Sequence, residues 1–435
     1  MDKGGYCIFP LYPFFFLFIV MKKILPLGLS MLCFVCSCGT NKMLTVTVKN
    51  PLNMERSGEF IEIPLEEVVK SGNPSTSNNF KIVDAQQREV AYQITHDGKV
   101  IFPVSVLSGA ESKYYISQGT PSKVDIISYG KIYPERMDDL AWENDKTGYR
   151  AYGPTLQKRG EKGFGYDLFA KRGTSKPVLE GMYKLEANSA NWNKFRELKK
   201  TDPVAAEKWR RYITYHVDKG YGMDCYAVGP TLGAGAAALV DNGEIVYPWC
   251  YKTCEILDNG PLRFTAKLVF TPIKVKGNDV VETRIITLDA GSHLNRTQIE
   301  YTNVAEKTPI VTGIVMHNPS KEHTINTEKG YISYVDPTNG ANNGTLFIGH
   351  AFPNALKNTE VKYFSADEKR KRNNALGHVL SESEYAPNST FDYYWGFAWD
   401  RAGMKNFEEW NKYLEKFSAQ LRNPLEVKVK GRKIK

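Results

Sequence analysis

The sequence predicts a mainly β protein in which a small N-terminal β-sandwich precedes a large antiparallel sandwich with a few helical excursions. Short alternating or apolar runs recur along the chain, and turn-rich segments separate them. In the 435 residues, helical periodicity stands out in only two stretches, one near the middle of the chain and one near its end. A composition of 42% hydrophobic and 24% charged residues also excludes a disordered chain and a multi-span membrane protein.

The amino terminus resembles a bacterial lipoprotein signal peptide. From Met21 it reads MKKILPLGLSMLCFVCSC, with two lysines, an apolar run and then cysteines. We predict that residues 1–37 are a signal peptide with an upstream extension, and that Met21 is the true start. Cys38 is the predicted lipidated residue, with Cys36 as the alternative. The protein is therefore expected to be exported and lipid-anchored at the outer membrane, on its periplasmic or cell-surface face.

A transmembrane anchor is the alternative for this region, because residues 9–20 are also apolar. That run is shorter than the roughly 20 residues that a span needs, and it contains two prolines. After removal of the leader, the free cysteines are Cys225, Cys250 and Cys254, too few for a disulfide framework. Cys250 and Cys254 lie in a predicted strand, where positions four apart are too far from each other for a joint metal site. We expect buried thiols.

Residues 38–122 are predicted to form the small β-sandwich domain. The runs LTVTV, EFIEIPL, FKIVD, VAYQIT, KVIFPVSV and KYYIS read as strands, and no helix-period segment interrupts them. Residues 119–122 (GTPS) mark the expected boundary. The second domain is expected to span residues 123–424, with RFTAKLVFTPIKV, DVVETRIITL and FDYYWGFAW among its strands.

Two helical regions are predicted in this second domain. Residues 192–212 read as a proline-broken pair of short helices. Residues 407–421 carry an aromatic stripe at helical spacing, and Asn406 with Glu409 predicts an N-terminal cap. Residues 425–435 are predicted to be a basic tail.

The formal net charge of +9 is only weak evidence for an acidic macromolecular partner. Much of the excess lies in the last ten residues and in the leader, so the body of the protein is only mildly basic. A nucleic-acid partner is therefore not expected. The 12% aromatic content of an exported β protein favours a carbohydrate partner instead.

Several segments resemble known families. The opening VTVKNPLNMERSGEFIEIPLEEV is similar to the small β-domain that precedes the catalytic region in bacterial polysaccharide-processing proteins, and RIITLDAGSHLNRTQIEYTN followed by PIVTGIVMHNP resembles the galactose-mutarotase-like supersandwich. WENDKTGYRAYGP and YYWGFAWDRAG add a resemblance to an uncharacterised Bacteroidetes lipoprotein family, whose members occur with unsaturated glucuronyl or rhamnogalacturonyl hydrolases. The resemblance implies a role in polysaccharide degradation, but it brings no catalytic motif.

The densest polar and aromatic cluster lies in YITYHVDKGYGMDCYAVGPTLGAG, residues 212–235. The candidate catalytic residues are His216, Asp218, Tyr221 and Asp224 of this segment, and Tyr149. If residues 214–218 are extended, His216 and Asp218 share a face, as a histidine oriented by a carboxylate requires. The candidate substrate-binding residues are Trp142, Glu143, Arg150, Lys219 and Trp395. The repeated GPTL of residues 153–156 and 229–232 predicts two similar loops on one rim.

These residue types fit β-elimination of uronic-acid polymers, in which a base removes a proton next to a carboxylate. His216 or Tyr149 would be the base, Tyr221 the acid, and Arg150 or Lys219 the partner of the carboxylate.

The same residue types also allow hydrolysis or mutarotation. Hydrolysis would use two carboxylates from Glu143, Asp145, Asp218 and Asp224. Mutarotation would pair His216 with a carboxylate such as Glu300. Trp395 shares a strand face with Trp399, either in the core or as a sugar-stacking platform.

An enzyme, a lyase or glycosidase acting on acidic oligosaccharides, is favoured over a non-catalytic surface glycan-binding protein and over a mutarotase-like epimerase. We expect a monomer with no cofactor. No metal site is predicted, because His317 and His323 with Asp289 lack a standard zinc spacing.

Overall fold

The computed structural model describes residues 44–70, 79–174, 176–317 and 319–429, and the backbone of residues 432–434. The predicted signal peptide, its upstream extension and the acylation site at Cys38 lie outside these residues. No helix in the described ranges is long and apolar enough to cross a membrane.

The first elements belong to the N-terminal part of the chain. They are β1 (Leu44–Lys49), β2 (Arg56–Pro64), α1 (Leu65–Lys70), β3 (Phe80–Asp84), β4 (Glu89–Val90), β5 (Gln93–Ile94), β6 (Lys99–Val106) and β7 (Glu111–Gln118).

The elements up to the middle of the chain include four of the helices. They are β8 (Tyr129–Tyr133), a 3₁₀ turn (Pro134–Arg136), β9 (Asp139–Glu143), β10 (Gly148–Ala151), α2 (Pro154–Lys158), β11 (Tyr166–Lys171), α3 (Leu179–Glu186), α4 (Ser189–Thr201), α5 (Pro203–Ile213), β12 (Gly222–Asp224), β13 (Ala237–Asp241) and β14 (Glu244–Ile245).

The remaining elements are mostly strands. They are β15 (Tyr251–Asn259), β16 (Arg263–Phe270), β17 (Ile273–Val275), β18 (Asn278–Asp289), β19 (Leu294–Thr302), β20 (Thr308–Met316), β21 (His323–Asn326), β22 (Tyr331–Asp336), β23 (Leu346–Ala351), β24 (Asn358–Tyr363), α6 (Ala366–Lys371), β25 (Gly377–Tyr385), β26 (Phe391–Trp399), α7 (Phe407–Arg422), β27 (Glu426–Val429) and β28 (Arg432–Ile434).

Two antiparallel sheets form the N-terminal sandwich, as the sequence predicts. One has the order β28-β27-β1-β7-β3-β4 and the other the order β2-β6-β5. The alternation of LTVTVK in β1 places Leu44, Val46 and Val48 in the core between the sheets. Tyr114 and Ile116 of β7 pack into the same core, which is separate from the core of the second region.

The prediction of a basic tail is wrong for residues 426–429. These residues form β27, which pairs with β1 in the N-terminal sheet. The reason is the alternation of valine with charged residues in EVKV, which buries Val427 and Val429 and leaves Lys428 less buried. The lysines and arginine favoured the prediction of an exposed tail, whereas the period of the apolar residues specifies a strand.

Three antiparallel sheets build the second region. The large sheet has the order β15-β16-β18-β19-β26-β23-β22-β21, with β17 pairing β18. The middle sheet has the order β14-β13-β20-β25-β24, and the site sheet has the order β12-β11-β10-β9-β8. One hydrophobic cluster joins the three sheets, with Trp142, Tyr149 and Trp395 among its buried side chains. The fold is therefore mainly β, as predicted.

Both predicted helical regions are confirmed. The Pro-broken pair is α4 and α5, which are separated at Asp202. In α7, the Asn406 side chain accepts a hydrogen bond of 2.9 Å from the Glu409 amide and caps the helix. Trp410 and Leu414 of α7 pack against the outer face of the large sheet, opposite to the face that contacts the other two sheets.

The division at residues 122 and 123 stays a prediction. The chain from residue 41 onward clusters as one unit, and ion pairs join the two parts. The guanidinium of Arg263 on β16 contacts Glu62 of β2 at 2.5 Å, and the His96 ring lies 2.7 Å from Asp258. The N-terminal sandwich is thus held against the large sheet.

Candidate active site

A cavity of about 430 Å³ lies beside the site sheet, and we call it the His216 cavity. The turn after β8, the start of α2, helix α3 and the segment after α5 form its walls. Its lining residues are Glu135, Arg136, Met137, Leu156, Glu161, Tyr183, Glu186, Ala187, Tyr215 and His216. Cationic, carboxylate, phenol and imidazole groups therefore meet in one small space.

The segment that carries His216 is anchored by a carboxylate. Helix α5 ends at Ile213, and Glu186 of α3 accepts hydrogen bonds from the Tyr215 amide at 2.6 Å and the Thr214 hydroxyl at 3.1 Å. These bonds hold the chain as it leaves the helix. The positions of Tyr215 and His216 are thereby set by the helix packing of α3 and α5.

The ring of His216 is oriented so that one nitrogen is available as a base. Its Nδ1 lies 3.2 Å from the carbonyl oxygen of Asp224 and 3.7 Å from the carboxylate of the same residue. A carbonyl oxygen can only accept, so Nδ1 carries the proton in the neutral ring and Nε2 has a free lone pair. The side chain of His216 is 49% exposed, and no described residue forms a hydrogen bond with Nε2.

Tyr215 lies next to the histidine and is suited to donate a proton. Its hydroxyl oxygen accepts hydrogen bonds from Arg136 Nε at 3.1 Å and from Arg150 Nη1 at 3.2 Å. Burial raises the pKa of Tyr215, so the hydroxyl keeps its proton at neutral pH. The two arginines occupy the acceptor sites of the oxygen, which leaves the O–H free as a donor. The rings of Tyr215 and His216 have centroids 4.6 Å apart.

Arg136 supplies the positive charge in the cavity. Within the described part of the chain, no carboxylate forms an ion pair with it, although its Nε binds Tyr215. An arginine that lines a cavity without a carboxylate partner presents a fork that matches a ligand carboxylate.

Arg150 forms a buried ion cluster beneath the cavity. It lies on β10, opposite Asp167 of β11 in the strand register, and its Nε donates to Asp167 at 2.9 Å. Its Nη2 donates to Asp224 of β12 at 3.1 Å. Tyr152 also donates to Asp167, at 3.0 Å. Both carboxylates compensate the guanidinium, and its remaining contact with the Tyr215 hydroxyl holds that side chain in place.

Several polar atoms around this cluster have no hydrogen-bond partner among the described residues. They are Asp139 Oδ2, Asp224 Oδ1, Tyr183 Oη and Tyr226 Oη. Burial raises the pKa of Asp139 to about 6, and burial together with the neighbouring Asp167 raises the pKa of Asp224. Perturbed carboxyl groups and unpaired buried atoms cluster at functional sites more often than elsewhere.

The substitution Asp139→Asn is expected to remove a pH-dependent loss of stability. The pKa of about 6 in the folded protein exceeds the ordinary value of 3.8, so the folded state retains a proton that the unfolded state releases. The stabilisation is present at low pH and is lost as the pH rises from about 4 to about 6, a change of about 3 kcal/mol.

Urea unfolding at pH values between about 4 and 7 measures this change. The wild-type protein should lose more stability across the window than Asp139→Asn does. The exposed Asp125→Asn is the matched control and should follow the wild type. Parallel pH dependence of the wild type and Asp139→Asn would contradict the assignment.

The structure brings together three of the predicted site residues, His216, Asp224 and Arg150, but it separates Asp218 from the histidine. Asp218 binds Arg172 at 2.8 Å and accepts bonds from the Gly220 and Gly222 amides at 2.9 and 3.1 Å. The predicted orientation of His216 by Asp218 is wrong, because the segment after α5 turns and is not extended.

Tyr149, Trp142 and Trp395 are core residues, so their predicted roles in base catalysis and substrate binding are wrong. Tyr149 is fully buried and donates to the His293 carbonyl at 2.8 Å. The indoles of Trp142 and Trp395 donate to Asn295 and Thr297, both at 2.8 Å. None of the three lines the His216 cavity, in contrast to Tyr215.

Glu143, Lys219 and Tyr221 also lie away from the cavity lining. Glu143 is buried against Lys171 at 2.7 Å and accepts bonds from the amides of Val178 and Leu179 at the start of α3, which is a structural role. The Lys219 ammonium lies 5.9 Å from the centroid of the Tyr221 ring, and burial lowers its pKa. The predicted roles of Lys219 as carboxylate partner and Tyr221 as acid do not fit these positions.

The histidines that were considered for a metal have other partners. His317 Nδ1 lies 2.6 Å from Asp336, and His323 Nδ1 lies 2.6 Å from the carbonyl of Lys321. Asp289 binds Arg263 at 2.6 Å. The described residues contain no group of three or more histidine, cysteine or acidic side chains that could hold a metal ion.

The prediction of two similar GPTL loops is wrong, because residues 154–156 begin helix α2 whereas residues 229–232 are irregular. The two segments nevertheless lie close together, since Tyr152, which precedes the first, and Gly229 and Pro230 of the second line one cavity of about 300 Å³. Glu161 lines this cavity and the His216 cavity as well. The cavity beside these two segments therefore adjoins the His216 cavity at Glu161.

Sequence reasoning missed Arg136, Tyr215 and Asp139. Tyr215 adjoins His216, but the assumption of an extended segment placed it on the opposite face. Arg136 and Asp139 lie in the PERMDD segment, whose charges have no spacing that points to a site. Proximity to His216 arises only from the fold.

Comparison with known proteins assigns the chain to a family. Residues 48–427 match the family described as "Domain of unknown function (DUF4861)", and the chain belongs to that family. A relative, "Uncharacterized protein P7" of Formosa agariphila, is 24% identical over 406 residues, which cover 91% of this chain and 95% of the relative.

Solved structures give weaker similarity. A glycosyl hydrolase family 38 protein from Enterococcus faecalis matches with a TM-score of 0.44 and 8% identity, covering 90% of this chain and 48% of that one. An alpha-mannosidase from Enterococcus faecalis V583 matches with a TM-score of 0.37 and 9% identity, covering 90% and 46%. The chain thus spans about half the length of these structures.

Proposed function

We propose that the protein cleaves uronic-acid-containing oligosaccharides by β-elimination in the His216 cavity. The observation that carries the proposal is that an available imidazole nitrogen, a phenol donor and an arginine without a carboxylate partner line one cavity. These are the three groups that elimination next to a carboxylate requires.

The geometry supports one assignment of roles. Arg136 binds the uronate carboxylate and stabilises the negative charge that develops on it. His216 Nε2 removes the proton from C5, and the electron pair forms the double bond between C4 and C5. The bond from C4 to the glycosidic oxygen breaks, and Tyr215 donates its proton to that oxygen. The proton on His216 then returns to Tyr215 through solvent, which restores both groups.

Hydrolysis by the carboxylates predicted from the sequence has less support, because these four are engaged elsewhere. Asp145 accepts from the Gly291 amide at 2.6 Å, and Glu143, Asp218 and Asp224 are bound to Lys171, Arg172 and Arg150. Mutarotation by His216 with Glu300 also lacks support, since Glu300 accepts from Thr390 at 3.0 Å and is not a lining residue.

A non-catalytic glycan-binding role would be favoured by exposed aromatic side chains without titratable neighbours. Trp395 and Trp399 are buried, so they cannot stack on a sugar. We further propose, from the sequence around Cys38, that the protein is exported and lipid-anchored at the outer membrane. Separately, we propose that it acts as a monomer.

Incubation with pectic and glycosaminoglycan oligosaccharides tests the proposal, with the absorbance of unsaturated uronate as the readout. Arg136→Gln is expected to lower kcat/KM by roughly 100-fold, because one charge-assisted contact to the developing charge is lost. Arg159→Gln replaces an exposed arginine nearby and should be neutral. No unsaturated product from any of these substrates would overturn the proposal.

A further inference from the structure

A second cavity lies between the N-terminal sandwich, the large sheet and α7, and we call it the interdomain groove. Its volume is about 640 Å³, and it shares no lining residue with the His216 cavity. Strand β2 and the segment around β6 form one wall, α7 forms another, and the outer face of the large sheet forms the floor. A volume of this size is typical of sites for small ligands.

The floor of the interdomain groove is a polar row across four strands. The strand register places Thr265 opposite Thr287, Thr287 opposite Arg296, and Arg296 opposite Tyr394. Directly opposed residues share a sheet face, so these four side chains form one continuous row. Gln298 lies two positions beyond Arg296 on the same face and also lines the groove.

Part of this polar surface has no protein partner. Thr265 is 2% exposed, and its hydroxyl finds no hydrogen-bond partner in the described residues. A buried hydroxyl without a partner is destabilising, and a hydrogen bond to a bound ligand would remove this cost. Among the residues that the structure describes, the side chains of Thr287 and Gln298 also form no hydrogen bond.

Most of the charged groups that line the interdomain groove have ion-pair partners, whereas Lys416 forms none among the described residues. Arg263 lies 2.5 Å from Glu62 and 2.6 Å from Asp289. Lys99 lies 2.8 Å from Glu62, and Arg296 lies 2.6 Å from Asp392. Paired charges present alternating donors and acceptors and attract an anion less than free cations would, which favours an uncharged ligand.

Aromatic side chains complete the groove. The rings of Tyr394 and Phe417 have centroids 5.2 Å apart, and Tyr413 lies 6.0 Å from Phe417. These three side chains, from β26 and α7, line the groove beside the polar row. Aromatic rings beside dense donors and acceptors are suited to a ligand with apolar C–H faces and many hydroxyl groups.

We propose that the interdomain groove is a second binding site that takes a short neutral saccharide. The row of Thr265, Thr287 and Gln298 binds the hydroxyl groups, and Tyr394 with Phe417 contacts the ring faces. This site is independent of the reaction proposed for the His216 cavity. The two cavities share no lining residue, and the ligand proposed here is uncharged, whereas the substrate proposed there is a uronate.

The test is titration of the full mature protein with unsubstituted galacto-, xylo- and rhamno-oligosaccharides by calorimetry and saturation-transfer NMR. Binding is expected for at least one of them, with little dependence on salt because the ligand is uncharged. Thr287→Val and Gln298→Ala should each weaken it at least fivefold. Thr283→Val is the matched control, since Thr283 lies on the same face of β18 outside the groove.

Absence of millimolar binding by every member of this panel would overturn the proposal. Binding that Thr287→Val and Gln298→Ala leave unchanged would overturn it too. Neither variant should change elimination in the His216 cavity, so failure of this proposal is distinguishable from failure of the proposed reaction.

Discussion

Replacement of Arg150 by methionine is expected to lower the free energy of unfolding by about 3–5 kcal/mol. Arg150 is 3% exposed, and its guanidinium compensates Asp167 and Asp224, which are also buried. Methionine fills a similar volume but leaves two carboxylates without a cation. The cost therefore arises from uncompensated buried charge and only to a small extent from lost packing.

Urea unfolding at neutral pH measures this effect. The triple variant Arg150→Met, Asp167→Asn, Asp224→Asn should recover much of the loss, because it removes the charges together with their partner. The matched control is Arg88→Met, which breaks a pair with Asp84 in which the arginine is 74% exposed and should cost no more than about 1 kcal/mol. A loss for Arg150→Met as small as that of the control would contradict a buried ion cluster.

Replacement of His216 by alanine is expected to lower kcat/KM on a uronate substrate by about 10³-fold, within the range for loss of a positioned base. Its effect on stability should be small, because the side chain is 49% exposed and binds only Asp224. Steady-state kinetics and urea unfolding separate the two effects. His323→Ala, at another histidine on the surface, is the control and should keep full activity. Full activity of His216→Ala would place the site elsewhere.

Local periodicity predicts much of this fold correctly. The alternation in LTVTVK specifies β1, and the aromatic stripe with Asn406 specifies α7 and its cap. Each pattern expresses one requirement, burial of one face, that neighbouring residues satisfy together. The same rule applied to EVKV would have predicted β27.

The site was less predictable, because pairing between distant strands assembles it. Arg150 meets Asp167 and Asp224 only through the register of β10, β11 and β12. Tyr149 and Arg150 are neighbours on β10, and alternation requires that they face opposite ways, but it does not tell which one enters the core. The ring of Tyr149 occupies the core, so the residue that was predicted as a base is inaccessible.

The turn after α5 explains why the predicted partner of His216 differs from the observed one. An extended segment would have paired His216 with Asp218, whereas the observed turn directs the histidine to Asp224. The turn depends on Glu186 from another helix, which accepts from the Tyr215 amide at 2.6 Å. Tertiary contacts of this kind leave no local signal in the sequence.

The most direct test of the central claim is product analysis by mass spectrometry after incubation with uronate oligosaccharides in water enriched in heavy oxygen. Elimination by His216, Tyr215 and Arg136 predicts one unsaturated product and no solvent oxygen in either product. Incorporation of solvent oxygen at the cleaved bond would show hydrolysis and contradict the account, as would intact substrate throughout.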